Sequence, residues 1–321
     1  MSDQKLETDK IIDIAITPDY DEWRLDAALA GLLPDYSRAR LQRWIKDGFV
    51  TVNGQVLRGK DKVFDGDAIV LHAQPEQETQ WQPQALALDI VYEDDALLII
   101  NKPPGVVVHP AAGNREGTLV NALLHYAPEL AVVPRAGLVH RLDKDTSGLL
   151  VIARTLEAHT HLTAQMQART VTREYDAVVY GTLVAGGTVE AALGRHPVDR
   201  QRRAVITGGK HATTHYRIHE RFAHFTWLRV KLETGRTHQI RVHMAHIQHP
   251  VVGDPVYARL RIPKSAANEL RSELQGFTRQ ALHAGHLALQ HPVRDEVCAW
   301  SVPMPQDMQH LLAVLRAQDP P

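Results

Sequence analysis

The chain has 321 residues, enough for two domains with sizeable cores, and its 44% hydrophobic and 23% charged residues exclude a disordered or fibrous chain. Its single cysteine, Cys298, excludes an intramolecular disulfide, and no apolar run reaches the ~18 residues of a membrane-spanning helix. The net charge of -1 argues against a nonspecific polyanion binder, yet the charges are segregated.

The polar, acidic start "MSDQKLETDK" lacks the basic region and apolar stretch of a secretory signal, so a cytoplasmic chain is expected. The first predicted elements are two short helices near residues 24 to 47. Leu25, Ala28, Leu29 and Leu32 recur at helical spacing until Pro34, and Ser37 then stands where an N-cap belongs. In the second helix Leu41, Trp44 and Ile45 share an apolar face. Arg40, Arg43 and Lys46 step by three along another, and Gly48 supplies the stop.

"FVTVNGQVL" reads as a hairpin of two strands turning at Asn53-Gly54, and "GDAIVLHA" as a further strand. Between Tyr36 and Lys62 seven Lys or Arg stand against two Asp. From Val63 to Asn101 there are eight acids and no Lys or Arg, and from Arg195 to Ile247 eleven bases against three acids. Two basic blocks with an acidic connector fit a protein that meets a polyanion with two surfaces, because phosphate attraction follows the local field. Taken singly, each block reads more readily as a solvated face; two blocks with motifs inside them shift that balance.

Residues 74 to 88, rich in Gln, Glu and Pro without periodicity, read as a linker. Beyond Asp89 the chain becomes a mixed α/β region without a GxGxxG or Walker-type motif, so no nucleotide cofactor is implied. "LLII" at 97 to 100 reads as a buried strand running into the rigid loop "NKPPG". In "HRLDKDTSGLLVIA", residues 146 to 148 form a turn ahead of a strand buried on both faces, which puts Asp143 on the loop leading into the sheet. Asp143 could serve Arg141 as a structural ion-pair partner. His140, Lys144 and Asp145 nevertheless make this more polar than one such pair requires. A carboxylate acting as base or nucleophile must be ionised, and a cation within ~4 to 6 Å favours that form by ~1 to 3 pKa units.

"TWLRVKLETGRTHQIRVHMAHIQHP" begins as an alternating strand, breaks at Gly235 and resumes as a helix capped by Thr237, with Ile240, Met244 and Ile247 inward. Arg236, in the turn, is placed to reach into a pocket; its alternative is a surface cap. His238, His243, His246 and His249 lack the intervening Glu of a zinc protease, so no metal is expected. Ser147 lacks the glycine-flanked elbow of a serine nucleophile.

The stretch "YSRARLQRWIKDGFVTVNGQ" together with "GDAIVL" resembles the αL RNA-binding module first known from a small-subunit ribosomal protein. "HRLDKDTSG", "NKPPG", "TREYDAVVYG", "LETGRTHQIRVHMAHIQHPVVGDPVY" and "QALHAGHLAL" closely resemble the RluA-type pseudouridine synthases, from about Trp23 to Asp307. "PDYSR", "LDIVYEDD" and "NALLHY" look most like the members that act on bacterial large-subunit ribosomal RNA.

The resemblance implies an α+β architecture: an αL RNA-binding domain at 18–75, a linker at 76–88, and a synthase domain at 89–321 whose mixed, largely antiparallel sheet is flanked by helices and loops. It implies an enzyme that isomerises uridines of 23S rRNA, most closely those of the helix 69 stem-loop, within the assembling large subunit and without cofactor or metal; the sequence itself is silent on oligomeric state, and a monomer is the default expectation. Residue by residue, it makes Asp143 the catalytic aspartate and sets Tyr175 against the uracil. Arg236 would pair with Asp143, and Arg141 would fill the gap left by the extruded uridine. His140, Lys102, Thr146, His238 and Gln239 would contact the substrate, and Arg38, Arg40, Arg43 and Lys46 the RNA backbone. Three other readings stay open on the residues alone: a sister synthase acting on other 23S or transfer RNA uridines, a non-catalytic RNA-binding protein, and a glycosidic hydrolase.

Overall fold

The computed structural model describes residues 10–34, 36, 38–73, 81–110, 114–199 and 202–321. The chain forms two compact units, 1–80 and 81–321. Ser37 and positions 74–80 of the expected linker lie outside the described residues.

In the first unit β1 (Lys10–Ala15) precedes α1 (Leu25–Leu32), α2 (Arg38–Lys46), β2 (Val50–Val52) and β3 (Ala68–Ala73). The three strands form an antiparallel sheet ordered β1-β3-β2. Leu25, Ala28 and Leu29 of α1 and Leu41, Trp44 and Ile45 of α2 are buried against Val50, Val52, Ile69 and Leu71, as the helical spacing predicts. The unit therefore begins earlier than position 18, since β1 completes its sheet. The expected hairpin is shortened. Asn53 and Gly54 turn with positive φ, but the strand closes only one bridge beyond them, Val52 to Gln55. The Asn53 side chain instead bonds Asp67 and the Ala68 amide, which brings in β3 as the true partner of β2.

The second unit opens with residues that were expected to be linker. Trp81 and Leu88 pack on its core, and the Gln82 carbonyl accepts from Asn121 at 2.8 Å. Gln84 donates its amide N–H to the Asn121 carbonyl and accepts the Gly117 N–H at 2.7 Å. Residues 81–88 are thus docked, because their apolar and amide groups have partners here.

The strands that follow are β4 (Ile90–Glu93), β5 (Leu97–Lys102), β6 (Ser147–Ala153), β7 (Thr172–Tyr180) and β8 (Gly187–Glu190). Then come β9 (Leu193–Arg195), β10 (Arg203–Val205), β11 (Thr213–Arg221), β12 (Phe225–Leu232), β13 (Leu282–Gln290) and β14 (Val297–Ser301). The helices are α3 (Leu119–Tyr126), α4 (Leu156–Ala168), α5 (Gln239–His246), α6 (Asn268–Gly276) and α7 (Gln306–Gln318).

Nine strands make one sheet, ordered β4-β5-β6-β13-β7-β12-β11-β8 with β14 on β13. Every pairing is antiparallel except β6 with β13, so the mixed, largely antiparallel sheet is as expected. The apolar run of β6 is explained by burial on both faces. Leu149 and Val151 join the core under α4, whereas Leu150 and Ile152 join the larger core beneath α3, α6 and α7. Gly148 already belongs to this strand, with φ at +116°; a Cβ there would meet the Ala284 backbone at 2.3 Å, so only glycine lets β13 come this close.

Candidate active site around Asp143

Asp143 lies on the loop that enters β6, with its side chain 16% exposed. The loop is held from several directions. The Thr146 amide donates to the Asp143 carbonyl. Lys102, fully buried at the end of β5, donates from Nζ to the carbonyls of Pro103 (2.7 Å), Val106 (3.0 Å) and Lys144 (2.8 Å). Thr146 Oγ1 accepts from Gln280, and Ser147 bonds His283 at 2.9 Å, both across the β6–β13 junction. Burial pulls the Lys102 ammonium down to about 8, and the carboxylates of Asp145 and Asp143 partly restore it.

Asp143 Oδ2 accepts from Nη1 of Arg241 at 3.0 Å. Arg241, three residues beyond His238 on α5, is 5% exposed. Its remaining edge is clamped by Asp254, Nε to Oδ2 at 2.7 Å and Nη2 to Oδ1 at 2.9 Å. Burial alone would lower the affinity of this guanidinium for its proton, but the hydrogen bonds and charge of Asp254, then of Asp143, outweigh it and hold it firmly cationic.

The pairing expected of Arg236 is therefore made by Arg241. Arg236 is exposed, and its Nε donates to the His211 carbonyl at 3.2 Å. The physical reason lies in the turn before α5. Gln239, buried, accepts from the Arg236 amide and Thr234 Oγ1 and donates to the Thr213 carbonyl and Thr214 Oγ1, which fixes the turn and carries Arg236 outward. The helix cap also differs from the expected Thr237: His238 occupies the N-cap with φ at +57°, and its side chain makes no capping bond.

Other expected substrate contacts prove structural in their placement. The Gln239 amide has both ends occupied, Lys102 has spent its three donors on carbonyls, and Thr146 is buried on Gln280. His140, partly buried, accepts the Val151 amide N–H at Nε2, and burial with the nearby Arg173 and Arg135 drives its pKa down to about 3, so the ring is neutral.

Three expected residues lie in the neighbourhood of the Asp143 carboxylate. His238 Nε2 is 3.9 Å from Asp143 Oδ1. Tyr175, on β7, is buried; burial raises its hydroxyl pKa, with Asp143 adding to the rise against Arg173. Arg141 is exposed beside them. The cluster thus offers a carboxylate with one oxygen held and the other open, a neutral phenol ring and an outward guanidinium. That set suits base or nucleophile chemistry on a flat aromatic substrate.

The histidines expected not to bind metal are bonded within the protein: His243 to Thr214 and the Ala191 carbonyl, His249 to the Tyr180 carbonyl. Among the described residues no cluster of His, Cys, Asp and Glu could hold a metal ion, and no helix is long and apolar enough to cross a membrane.

A cavity of about 1000 Å³ lies elsewhere, lined by Arg217, Arg229, Lys231, Glu174 and Glu233 among others. Glu174, Arg229 and Lys231 alternate along their strands with the core residues Tyr175, Leu228 and Val230, so this cavity opens on the opposite side of the sheet from Asp143. Of the four Lys and Arg that line it, Arg169 pairs with Glu233 and Arg229 with Asp176.

In the first unit, Arg43 and Lys46 of α2 are exposed. Arg38 donates to the buried carboxylate of Asp26, which Arg24 and Gln42 also bind. Arg40 lies over the rings of Trp44 and Tyr36, with its charged carbon 4.7 and 5.3 Å from their centroids.

Residues 96–246 match the family of RNA pseudouridylate synthases and residues 23–69 the S4 domain, and the chain belongs to that synthase family. It is an RNA pseudouridine synthase with an S4 domain ahead of its catalytic domain. Among its relatives, the ribosomal large subunit pseudouridine synthase D of Pseudomonas aeruginosa is 56% identical over 91% of this chain and 92% of the relative. The protein of that name in Escherichia coli K12 is 55% identical over 92% and 91%, and that of Xanthomonas campestris 52% over 98% and 96%. The fold is shared with human RNA pseudouridylate synthase domain containing 4, at a TM-score of 0.57 and 23% identity over 71% of this chain and 93% of that one.

Proposed function

We propose that this enzyme converts uridine to pseudouridine in bacterial large-subunit ribosomal RNA, that its target is the helix 69 stem-loop of 23S rRNA in the assembling subunit, and that Asp143 is its catalytic aspartate. The observation that carries the catalytic assignment is the Asp143–Arg241 pair, a carboxylate anchored by one oxygen with the other 3.9 Å from His238 Nε2. The substrate assignment draws on relatives at 52 to 56% identity that are named for the large subunit.

The reaction breaks the N1–C1′ bond, turns the uracil and forms C5–C1′; the proton leaves C5 and N1 gains one, so no redox partner is needed. Asp143 attacks or deprotonates the nucleoside. The detached base must not escape, and Tyr175 supplies a buried aromatic wall to retain it. Reaching the uridine requires flipping it out, at a cost of about a few kcal/mol that is smaller in a loop than in a stem. Arg141, exposed at the rim, fills the gap it leaves. Arg43 and Lys46 grip phosphates without reading bases.

Tritium release from RNA labelled at uridine C5 tests this reading: the purified protein releases tritium, and Asp143→Ala does not. Carbodiimide mapping of rRNA from a deletion strain then loses the helix 69 pseudouridines. Loss at other 23S or transfer RNA positions in their place reassigns the substrate, and release of free uracil makes the enzyme a hydrolase.

A further inference from the structure

The second layer of the site is built by one short turn, 254–257, just beyond α5. Asp254 is fully buried at its side chain and takes Nε and Nη2 of Arg241, which leaves Nη1 as the donor for Asp143. The same carboxylate accepts the amides of Val256 and Tyr257, which folds the turn back on itself. The Tyr257 hydroxyl then meets His238 Nδ1 at 2.8 Å, and its ring lies 5.1 Å from the Arg241 guanidinium carbon.

One direction of the hydrogen bonds around Tyr257 gives every group a partner. A backbone amide can only donate, so the Arg203 N–H, 2.8 Å away, gives its proton to the Tyr257 oxygen. The half-buried Tyr257 hydroxyl then spends its hydrogen on His238 Nδ1, which takes the role of the bare, accepting nitrogen; the reverse direction would leave that hydrogen without a partner. A neutral imidazole with Nδ1 bare carries its hydrogen on Nε2, and Nε2 is the atom 3.9 Å from Asp143 Oδ1. Burial keeps His238 neutral, lowering its pKa against the pull of Asp143 and Asp254, with Arg241 and Arg141 acting in the same sense as burial.

At 3.9 Å the pair is too far apart for a direct hydrogen bond. The spacing does suit a third atom. A hydroxyl oxygen about 2.8 Å from each would donate to the carboxylate and accept from Nε2–H.

We propose that the turn 254–257 is the positioning element of this site: Asp254 aims Arg241 at Asp143, and Tyr257 locks His238 in the Nε2–H tautomer, so that a hydroxyl of the nucleoside is held between His238 and Asp143. The proposal rests on the reading of Asp143 given above. His238 holds its left-handed backbone at the mouth of α5, a conformation retained where surrounding structure over-determines it.

Tyr257→Phe removes one oxygen and leaves the ring, and full-length protein serves for every measurement. Imidazole 15N shifts at neutral pH, with the His238 signals assigned by their loss in His238→Gln, report the tautomer without any turnover. Wild type shows a bare Nδ1 and a protonated Nε2, and Tyr257→Phe shows a mixture. In tritium release, Tyr257→Phe lowers kcat on the order of 10- to 100-fold with KM for RNA unchanged, as expected when a reacting group is loosened but the backbone grip is intact.

A wild-type His238 protonated on Nδ1, or a Tyr257→Phe protein with unaltered tautomer and kcat, overturns the proposal. A fall in kcat with no tautomer change assigns Tyr257 to general packing and overturns it equally. Turnover that survives Asp143→Ala refutes the catalytic reading by itself, whereas the 15N result stands apart from it.

Discussion

Arg236 and Arg241 are five residues apart in one motif, and the structure assigns them opposite fates, so replacing each by glutamine is a sharp comparison. Arg241 makes three charge-assisted hydrogen bonds to two carboxylates, and its partner Asp254 is 0% exposed at the side chain. Removing one member of such a buried pair strands the other charge, which costs about 3–5 kcal/mol. Arg236 is exposed with one bond to a carbonyl at 3.2 Å, and its loss costs about 1 kcal/mol or less. Urea unfolding measures both.

Catalysis should follow the same order. Without Nη1 the Asp143 carboxylate loses its anchor, and tritium release falls by about 10²- to 10³-fold in Arg241→Gln, the scale of losing one preorganised donor. Arg236→Gln falls far less. Pairing Arg241→Met with Asp254→Asn removes the stranded charge while an amide oxygen still caps the turn. That double variant should regain most of the lost stability and none of the lost turnover. The reasoning is refuted if Arg236→Gln is the more damaging change, or if the double variant regains activity along with stability.

Lys102 gives a pH signature. Its folded pKa is about 8 against 10.5 when solvated, so between those values the unfolded chain holds a proton that the folded one has shed. Stability owed to this group therefore rises with pH across that window, by up to about 1.4 kcal/mol per pH unit, and the burial cost is constant below it. Urea midpoints from pH 7.5 to 10.5 should show that rise in wild type relative to Lys102→Met; parallel curves would contradict it. On the first unit, Arg43→Ala and Lys46→Ala should each make the slope of log K against log salt shallower by about 0.7 to 0.9 in RNA-binding titrations. An unchanged slope would remove α2 from the interface.

Much of the fold could be read from spacing. The unbroken apolar run of β6, the apolar face of α2 and the alternation of β12 are direct records of two-sided, one-sided and half-buried environments. β1 escapes a reading by pattern because Ile12 and Ile14 are only half buried, Ile11 and Ala15 are exposed, and its partner β3 lies more than fifty residues on, a pairing no local pattern announces. The short hairpin misled because Asn53-Gly54 fixes a turn without fixing which strand returns.

At the site, Asp143 stood out by its crowded loop, but its partner was misassigned. A turn position makes an arginine look free to reach, whereas the decisive signal was subtler. Arg241 falls three residues before Met244, on the inward stripe of α5, and a cation placed there must be buried and so must have carboxylates. Asp254 and Tyr257 carried no signal of their own, since their role depends on a turn that only the tertiary structure brings under α5.

The parallel seam between β6 and β13 also makes the Asp143 loop depend on a segment synthesised much later. Thr146 and Ser147 are tethered to Gln280 and His283, 134 and 136 positions downstream. A nascent chain that has already released residue 143 still lacks those tethers until Gln280 and His283 have also left the exit tunnel. If Asp143 is the catalytic residue proposed above, a chain truncated upstream of this seam carries every motif of the loop but lacks the bonds that hold it.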